Sequence, residues 1–311
     1  MPSTPSRPST PSRPSTPPCI VLPESQAAPS TFLPAIGQGT WYMGENQVPR
    51  RQEVAALRHG LDLGLKVIDT AEMYGDGGAE EVVGEAIHGR RDDAFIVSKV
   101  YPWNAGREST IAACERSLER LGIDTIDLYL LHWPGNIPLE ETFEAFERLR
   151  DQGKIRRFGV SNFDAGNLRA MDSLPAAADC ATNQVLYHLG SRGIEVDIIP
   201  WMQDHHIPVM AYCPLAQGGR LRSKLLSSSV VNDIADKHGA SAAQILLAWV
   251  IRPTSVNQDG TRGVIAIPKA SSLAHVEANA AALGIELDSD DLTQLDNAFP
   301  APKEPVSLDI V

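Results

Sequence analysis

Apolar residues along the chain follow two alternating patterns. Short continuous apolar runs are typical of buried parallel strands, and the longer stretches between them, with apolar residues every three or four positions, are typical of amphipathic helices. The predicted strands are residues 35–39, 66–69, 95–99, 126–132, 157–160, 181–184, 209–212 and 264–267. The predicted helices are residues 51–63, 80–88, 110–121, 139–152, 193–205, 242–251 and 273–283, and Asp164 stands where a further helix begins.

Eight strand–helix units in 311 residues favour an α/β fold, a closed (β/α)8 barrel of the TIM type, over an open doubly wound sheet. Residues 19–33 predict an N-terminal β-hairpin, and residues 230–238 and 288–299 predict two extra helices outside the eightfold repeat. We therefore expect one barrel domain over residues 19–311, with the proline-rich residues 300–311 lying over one end of the barrel.

Residues 1–18 repeat the unit Ser-Thr-Pro-Ser-Arg-Pro and predict a disordered, polyproline-like tail. Proline at nearly every third position excludes the amphipathic helix of an organelle-targeting peptide, and the tail has no apolar stretch for a secretory signal. We interpret it as an extension without a targeting role.

The formal net charge of -12 gives no general field that would attract nucleic acid or an anionic membrane surface. No run of about 18 apolar residues predicts a membrane span. The four cysteines are widely spaced, with no C-x-x-C pair and no histidine at zinc spacing, which indicates free thiols, no metal site and a cytoplasmic protein. We expect a monomer with a small-molecule substrate as its partner, and any anionic ligand must be held by a local basic pocket.

Polar residues stand at the ends of three neighbouring predicted strands, where a barrel of this kind places its active site. Asp69 ends the second strand and is followed by Tyr74 in the segment DTAEMYG, Lys99 ends the third strand, and His132 ends the fourth. A lysine beside a tyrosine favours the phenolate and lowers the tyrosine pKa, while an aspartate keeps that lysine charged. A histidine can donate a hydrogen bond to a carbonyl oxygen. This set predicts carbonyl reduction or alcohol oxidation.

A hydride needs a cofactor, because no side chain supplies one. The dinucleotide-binding glycine fingerprint is missing, since Glu80 stands where its third glycine would be. The ends of strands five to eight instead carry Ser161 and Asn162, Gln184, Tyr212, and Lys269. Amides can hold a carboxamide, a flat ring can stack on nicotinamide, and a cation can meet a phosphate.

The chain resembles the aldo-keto reductase superfamily from about residue 32 to about residue 300. The resemblance rests on eight segments in family order: GTW, DTAEMYG, SKV, LHWP, GVSNF, NQV, YCPL and IPKA. It implies reduction of a small aldehyde or ketone with NADPH, in which Tyr74 is the general acid, Lys99 tunes it, Asp69 pairs with Lys99 and His132 orients the carbonyl. The C-terminal segments also resemble a bacterial branch that reduces methylglyoxal and other small reactive aldehydes.

The resemblance also implies the binding residues. The cofactor would contact Gly39, Thr40, Trp41, Asp69, Ser161, Asn162, Gln184, Tyr212, Cys213, Pro214, Leu215, Gln217, Gly218, Ile267, Lys269, Ala270, Ser271, His275 and Asn279. The substrate would contact Trp41, Tyr74, Tyr101, His132 and Trp133. His275 stands where the family often has an arginine, and Cys213 replaces a common serine. A histidine is mostly neutral near pH 7, so NADH remains possible beside NADPH.

Two other functions fit parts of this pattern. In a barrel aldolase, Lys99 or Lys269 would form a Schiff base with the substrate. In a cofactor-sensing regulatory module of the same fold, slow chemistry would report cofactor state. The complete set of four polar residues favours an active reductase.

Overall fold

The computed structural model of the chain describes residues 18–253 and 263–311. Residues 1–17 of the predicted disordered tail lie outside the described residues. The chain begins with an antiparallel hairpin of β1 (Cys19–Leu22) and β2 (Thr31–Pro34), in which Ile20 pairs with Leu33. This confirms the predicted hairpin. Its apolar side chains form one cluster with Val67 and Phe95, the first residues of two barrel strands, so the hairpin closes the N-terminal end of the barrel.

Eight parallel strands follow in a single sheet, and their order along the sheet is their order along the chain. They are β3 (Gln38–Gly39), β4 (Val67–Asp69), β5 (Phe95–Val100), β6 (Ile126–Leu131), β7 (Ile155–Ser161), β8 (Cys180–Leu186), β9 (Val209–Tyr212) and β10 (Val264–Ala266). Almost every residue in them is buried, because a parallel sheet carries a core on both faces.

The first and last strands meet and close the barrel. Ile36 pairs with Ala266 and Gly39 with Lys269 in parallel bridges, and the Gly39 amide donates to the carbonyl of Pro268 at 3.1 Å. A Cβ atom at Gly39 would lie 2.7 Å from the carbonyl oxygen of Ile267. Only glycine permits this approach, so the closed barrel predicted from the sequence depends in part on Gly39.

Helices pack around the outside of the strands. They are α1 (Arg50–Asp62), α2 (Gly78–Ile87), α3 (Arg107–Leu121), α4 (Leu139–Asp151), α5 (Ala165–Met171), α6 (Ile198–Asp204), α7 (Gly219–Leu226), α8 (Ser229–His238), α9 (Ala242–Val250), α10 (Leu273–Ala281) and α11 (Ser289–Ala298). Asp164 accepts a hydrogen bond from the Asn167 amide at 2.8 Å and caps α5, as expected. No helix among the described residues is long and apolar enough to cross a membrane.

Two helical predictions need correction. Residues 193–205 do not form one helix: a short 3₁₀ turn, Gly193–Glu195, precedes α6. Pro200 explains the break, because proline has no amide hydrogen and is tolerated only in the first turn of a helix. The two predicted extra helices are present as α8 and α11, but α7 is a third. Its short amphipathic pattern follows two glycines and buries only Leu225, so its periodic signal is weak.

Candidate active site

The structure brings the four predicted catalytic residues together at the C-terminal ends of the strands. Asp69 is the last residue of β4, Lys99 lies near the end of β5, and His132 directly follows β6. Tyr74 begins a 3₁₀ turn, Tyr74–Gly77, between β4 and α2. The predicted strand ends therefore do converge on one mouth.

Lys99 is the centre of this group. Its Nζ lies 2.9 Å from either carboxylate oxygen of Asp69 and donates to the carbonyl of Thr70 at 2.8 Å and to the Tyr74 hydroxyl at 3.1 Å. The side chain is fully buried. Three acceptors for three ammonium hydrogens hold Lys99 in one orientation, with one hydrogen directed at the phenol oxygen.

Asp69 has further donors besides Lys99. Gln184 Nε2 donates to Asp69 Oδ1 at 2.7 Å, and the Thr40 hydroxyl donates to the Asp69 carbonyl at 2.9 Å. Burial raises the pKa of Asp69 and lowers the pKa of Lys99, and the attraction between the two charges opposes both shifts. The network thus compensates two charges that burial alone would neutralise.

The pKa of Tyr74 moves in the direction opposite to the one expected from the sequence. Burial raises it well above the usual 10.0, and the negative charge of Asp69 adds to the rise. The neighbouring lysine does not reverse this, because Asp69 offsets its charge. Tyr74 therefore stays protonated at neutral pH and can act as a donor of a proton.

His132 is a neutral imidazole at neutral pH. Burial lowers its pKa well below 6.5, and the positive charge of Lys99 lowers it further. Its ring lies edge-on to the Tyr74 ring, with centroids 5.7 Å apart. A neutral imidazole still carries one N–H group, which is sufficient to donate one hydrogen bond to a carbonyl oxygen at the phenol.

A cavity of about 720 Å³ opens over these residues. Most of the predicted binding residues line it: Gly39, Thr40, Trp41, Asp69, Tyr74, His132, Trp133, Ser161, Asn162, Gln184, Tyr212, Cys213, Pro214, Leu215, Gln217, Ile267 and Lys269. Strands from both halves of the barrel contribute to this set, so the cavity spans the whole C-terminal face. Its size suits a ligand larger than a small aldehyde.

Hydroxyl and amide groups connect the walls of this cavity. Asn162 Nδ2 donates to the His132 carbonyl at 3.1 Å, and the Tyr212 hydroxyl donates to Asn162 Oδ1 at 2.8 Å. The Ser161 hydroxyl donates to the carbonyl of Gln184 at 2.9 Å. These bonds fix the Tyr212 ring beside the amide of Asn162.

Six of the predicted binding residues lie outside the cavity lining. Tyr101 packs behind Trp133, with ring centroids 5.9 Å apart. The other five follow the lining residues along the chain, at the start of α7 or on the segment that leads from Lys269 into α10: Gly218, Ala270, Ser271, His275 and Asn279. The His275 side chain is exposed and the Asn279 side chain is buried.

Two cations line the cavity, and only Lys269 was identified from the sequence. Its Nζ contacts the Ser271 hydroxyl at 3.3 Å, and it forms no ion pair with a carboxylate of the described residues. Arg222 on α7 also lines the cavity, and among the described residues it has no acidic partner. Because α7 itself was missed, the sequence did not place this arginine at the cavity. A pocket with two uncompensated cations favours an anionic ligand.

Sequence reasoning also missed part of the wall. Tyr42 stacks on Trp41 with ring centroids 4.6 Å apart, and both line the cavity. Ser307, Leu308, Ile310 and Val311 line it too, so the proline-rich end of the chain lies over the C-terminal face of the barrel. Outside the lining, Trp103 stacks on Tyr101 at 4.2 Å and is 62% exposed.

Strained backbone marks the same region. Seven described residues other than glycine have positive φ angles, and four of them line the cavity: Tyr42, Asn162, Cys213 and Ala216. Such conformations cluster at binding sites, where the surrounding structure holds them. Burial raises the pKa of the Cys213 thiol to about 11, so the thiol is neutral at this wall. No group of three or more potential ligands for a metal ion occurs among the described residues.

Comparisons with known proteins agree with this geometry. The model of the Aldo/keto reductase family matches residues 35–299. Methylglyoxal reductase YeaE of Escherichia coli (strain K12) is 60% identical over 279 residues, which is 90% of this chain and 95% of that protein. Glyoxal reductase of Bacillus subtilis (strain 168) is 34% identical, covering 85% of this chain and 88% of that protein.

The solved structures include an aldo/keto reductase from Klebsiella pneumoniae in complex with NADP and acetate. It is 58% identical, has a TM-score of 0.86 and covers 90% of this chain and 96% of that chain. Fold and site together define an oxidoreductase of carbonyl compounds built on a (β/α)8 barrel. The chain belongs to the aldo/keto reductase family.

Proposed function

We propose that this protein reduces small aldehydes and keto aldehydes, of which methylglyoxal is the model substrate, with NADPH as the hydride donor. The observation that carries the proposal is the hydrogen bond of 3.1 Å from Lys99 to Tyr74 at the floor of a cavity lined by His132. The similarity to a methylglyoxal reductase over 90% of the chain supports this substrate class.

In this proposal Tyr74 donates its proton to the carbonyl oxygen of the substrate. The Lys99 ammonium stabilises the phenol oxygen as the proton leaves, and Asp69 holds Lys99 in place with bonds of 2.9 Å. The neutral His132 imidazole donates a hydrogen bond to the same carbonyl oxygen and orients it. The rings of Trp41 and Trp133 cover the site and limit the access of water.

The residues of the cavity fit NADPH. Ser161, Asn162 and Gln184 offer hydroxyl and amide groups for the carboxamide, and Tyr212 offers a ring for stacking. Lys269 would hold the 2′-phosphate and Arg222 the pyrophosphate, since both lie at the wall and neither has an acidic partner in the part of the chain that the structure describes. The backbone amides of Leu215, Gln217 and Gly218 would bind the pyrophosphate. The bound nucleotide supplies the hydride.

A Schiff-base aldolase fits the structure less well. Lys99 is fully buried and directs its three hydrogens to Asp69, Thr70 and Tyr74, so it has no free lone pair to attack a carbonyl. Lys269 is at the cavity wall, but among the described residues it forms no ion pair with an acid, and its hydrogen-bond partner is the Ser271 hydroxyl. The complete proton-donating network likewise argues against a module that only senses cofactor.

The decisive experiment measures NADPH and NADH oxidation with a panel of small aldehydes, keto aldehydes, sugars and ketones. We expect NADPH-dependent turnover with kcat/KM highest for keto aldehydes. Turnover without nucleotide, or trapping of substrate on a lysine by borohydride, would disprove the proposal. A cytoplasmic location and a monomeric state stay predictions.

A further inference from the structure

A buried acidic residue lies behind the active site and has no role in the mechanism above. Glu80, on α2, is fully buried between α2, β5 and α3. Its Oε1 accepts a hydrogen bond from the Ser98 hydroxyl at 2.5 Å, and its Oε2 accepts one from Arg120 Nε at 2.6 Å. A buried carboxylate is costly unless it is paired, and here both oxygens are satisfied.

These two bonds join the parts of the chain that carry Tyr74 and Lys99. Ser98 is the residue before Lys99 on β5, and its side chain points to the helices while Lys99 points into the barrel. Glu80 is six residues after Tyr74, at the start of the helix that follows the Tyr74 turn. The hydrogen bond between Glu80 and Ser98 therefore ties that turn to the strand of Lys99.

Arg120 fixes the same turn from the other side. A Cβ atom on Gly77, the last residue of the turn, would lie 2.6 Å from Arg120 Cδ and 2.7 Å from its Nε. Gly77 has a φ of 91°, which a residue with a side chain rarely adopts. The arginine stem thus packs directly on the backbone of the turn while its guanidinium binds Glu80.

We infer that Glu80 is a positioning residue for proton donation, which sets the contact between Tyr74 and Lys99 and completes the charge balance around it. The inference rests on the proposed function, because it assumes that Tyr74 is the proton donor. Glu80 touches neither the substrate nor the cofactor cavity.

The charged and titratable groups around Glu80 and Tyr74 determine in which direction the pH dependence of kcat shifts when Glu80 is replaced. Glu80 faces Arg120 and Cys114 on α3, Ser98 and Lys99 on β5, and Tyr129 on β6. Tyr74 faces Asp69, Lys99, His132, Tyr212 and Cys213. Burial lowers the pKa of Lys99, and the negative charges of Asp69 and, to a smaller extent, Glu80 oppose this shift.

The variant Glu80→Gln removes one negative charge and leaves the Arg120 guanidinium without compensation. The site becomes more positive, which favours the Tyr74 phenolate and the neutral form of Lys99. Both changes make the alkaline fall of kcat for aldehyde reduction begin at lower pH. We expect a shift of about 0.5–1 pH unit and a loss of kcat of about 3- to 30-fold at pH 7.

The experiment records kcat for reduction from pH 6 to 10.5, together with NADPH affinity by fluorescence titration. The double variant Glu80→Gln/Arg120→Gln removes both charges, and we expect it to restore the position of the alkaline limb. Ser98→Ala breaks one bond without a change of charge, so it should lower kcat at every pH and leave the limb in place. NADPH affinity should stay within about twofold in all three.

Glu81→Gln is the matched control, because Glu81 is the next residue on α2, is exposed and pairs with Arg50 at 3.0 Å. It should behave like the wild type. An unshifted alkaline limb in Glu80→Gln, or normal kcat in both Glu80→Gln and Ser98→Ala, overturns the inference. If Glu80→Gln does not fold, normal kcat in both Ser98→Ala and the double variant overturns the inference. Normal turnover of Tyr74→Phe in the same assay would instead refute the proposed function itself.

Discussion

Lys99 Nζ lies 3.1 Å from the hydroxyl oxygen of Tyr74 and 4.7 Å from the centre of its ring. The lysine ammonium therefore lies nearer to the phenol oxygen than to the centre of the ring. Negative charge develops on this oxygen when the proton leaves. Around this contact, burial keeps the phenol protonated, and the Asp69 carboxylate pairs with the lysine at 2.9 Å.

Tyr74→Phe removes the proton donor and leaves the cavity wall intact. We expect kcat for a small aldehyde to fall by roughly 10²–10⁴, the usual contribution of a positioned acid, with NADPH affinity nearly unchanged. Steady-state kinetics and a fluorescence titration measure the two effects. Near-normal turnover of this variant would show that another group supplies the proton.

The pH dependence of reduction follows from the pKa directions of Tyr74 and His132. The pKa of Tyr74 is raised above 10.0, so the donor stays protonated, and the pKa of His132 is lowered below 6.5, so the imidazole stays neutral. We expect kcat and KM to stay constant between about pH 7 and pH 9 and kcat to fall only in more alkaline solution. An inflection of kcat between these limits would contradict the assignment.

Lys269→Ala tests recognition of the 2′-phosphate. We expect NADPH to bind about 10- to 100-fold more weakly and NADH to change by less than about threefold, because only NADPH carries this phosphate. Fluorescence titration of both nucleotides gives the comparison. Equal losses for the two would rule out this role.

Arg222→Gln tests the second cation. NADPH and NADH share the pyrophosphate, so both should bind about 5- to 20-fold more weakly, whereas 2′-AMP, which has no pyrophosphate, should bind as before. Arg220→Gln is the matched control, since Arg220 is exposed on the same helix and does not line the cavity. Equal effects of the two substitutions would indicate a general charge effect.

Lys99→Met tests the buried charge pair. The substitution leaves the Asp69 carboxylate buried without its cation, and we expect the free energy of unfolding to fall by about 3–5 kcal/mol. The double variant Asp69→Asn/Lys99→Met removes both charges and should recover much of this loss. Urea unfolding compares them. If the single and double variants are equally unstable, the loss does not come from the unpaired charge.

Much of the site was predictable because a parallel barrel places strand ends at a common face. Asp69, Lys99 and His132 stand at the ends of apolar runs, so their convergence followed from the strand pattern alone. The direction of the Tyr74 pKa shift could not be predicted in this way, because the sequence does not show whether the effect of burial on this pKa is larger than the effect of the nearby lysine. The same holds for Glu80, which the sequence offered only as a mismatch to a glycine motif.

The parts of the cavity wall that short helices, turns and the C-terminal segment form were less predictable. Arg222 lies on α7, which follows Gly218 and begins at Gly219, and the short periodic pattern of this helix gave no clear signal. Residues 307–311 lie far along the chain from the catalytic residues, and no periodic pattern says which end of the barrel they cover. Trp103 also belongs to a short 3₁₀ turn, Pro102–Asn104, that hydrophobic periodicity does not reveal.

The bridge between Gly39 and Lys269 joins the first barrel strand to the residue proposed to bind the 2′-phosphate. The same contact therefore closes the barrel and completes the nucleotide pocket. Before β10 pairs with β3, the nucleotide site is incomplete. A bound nucleotide in turn stabilises the pairing of these two strands. Saturating nucleotide should then slow hydrogen exchange at the Gly39 amide more than at amides of β7, which lies four strands away in either direction around the barrel.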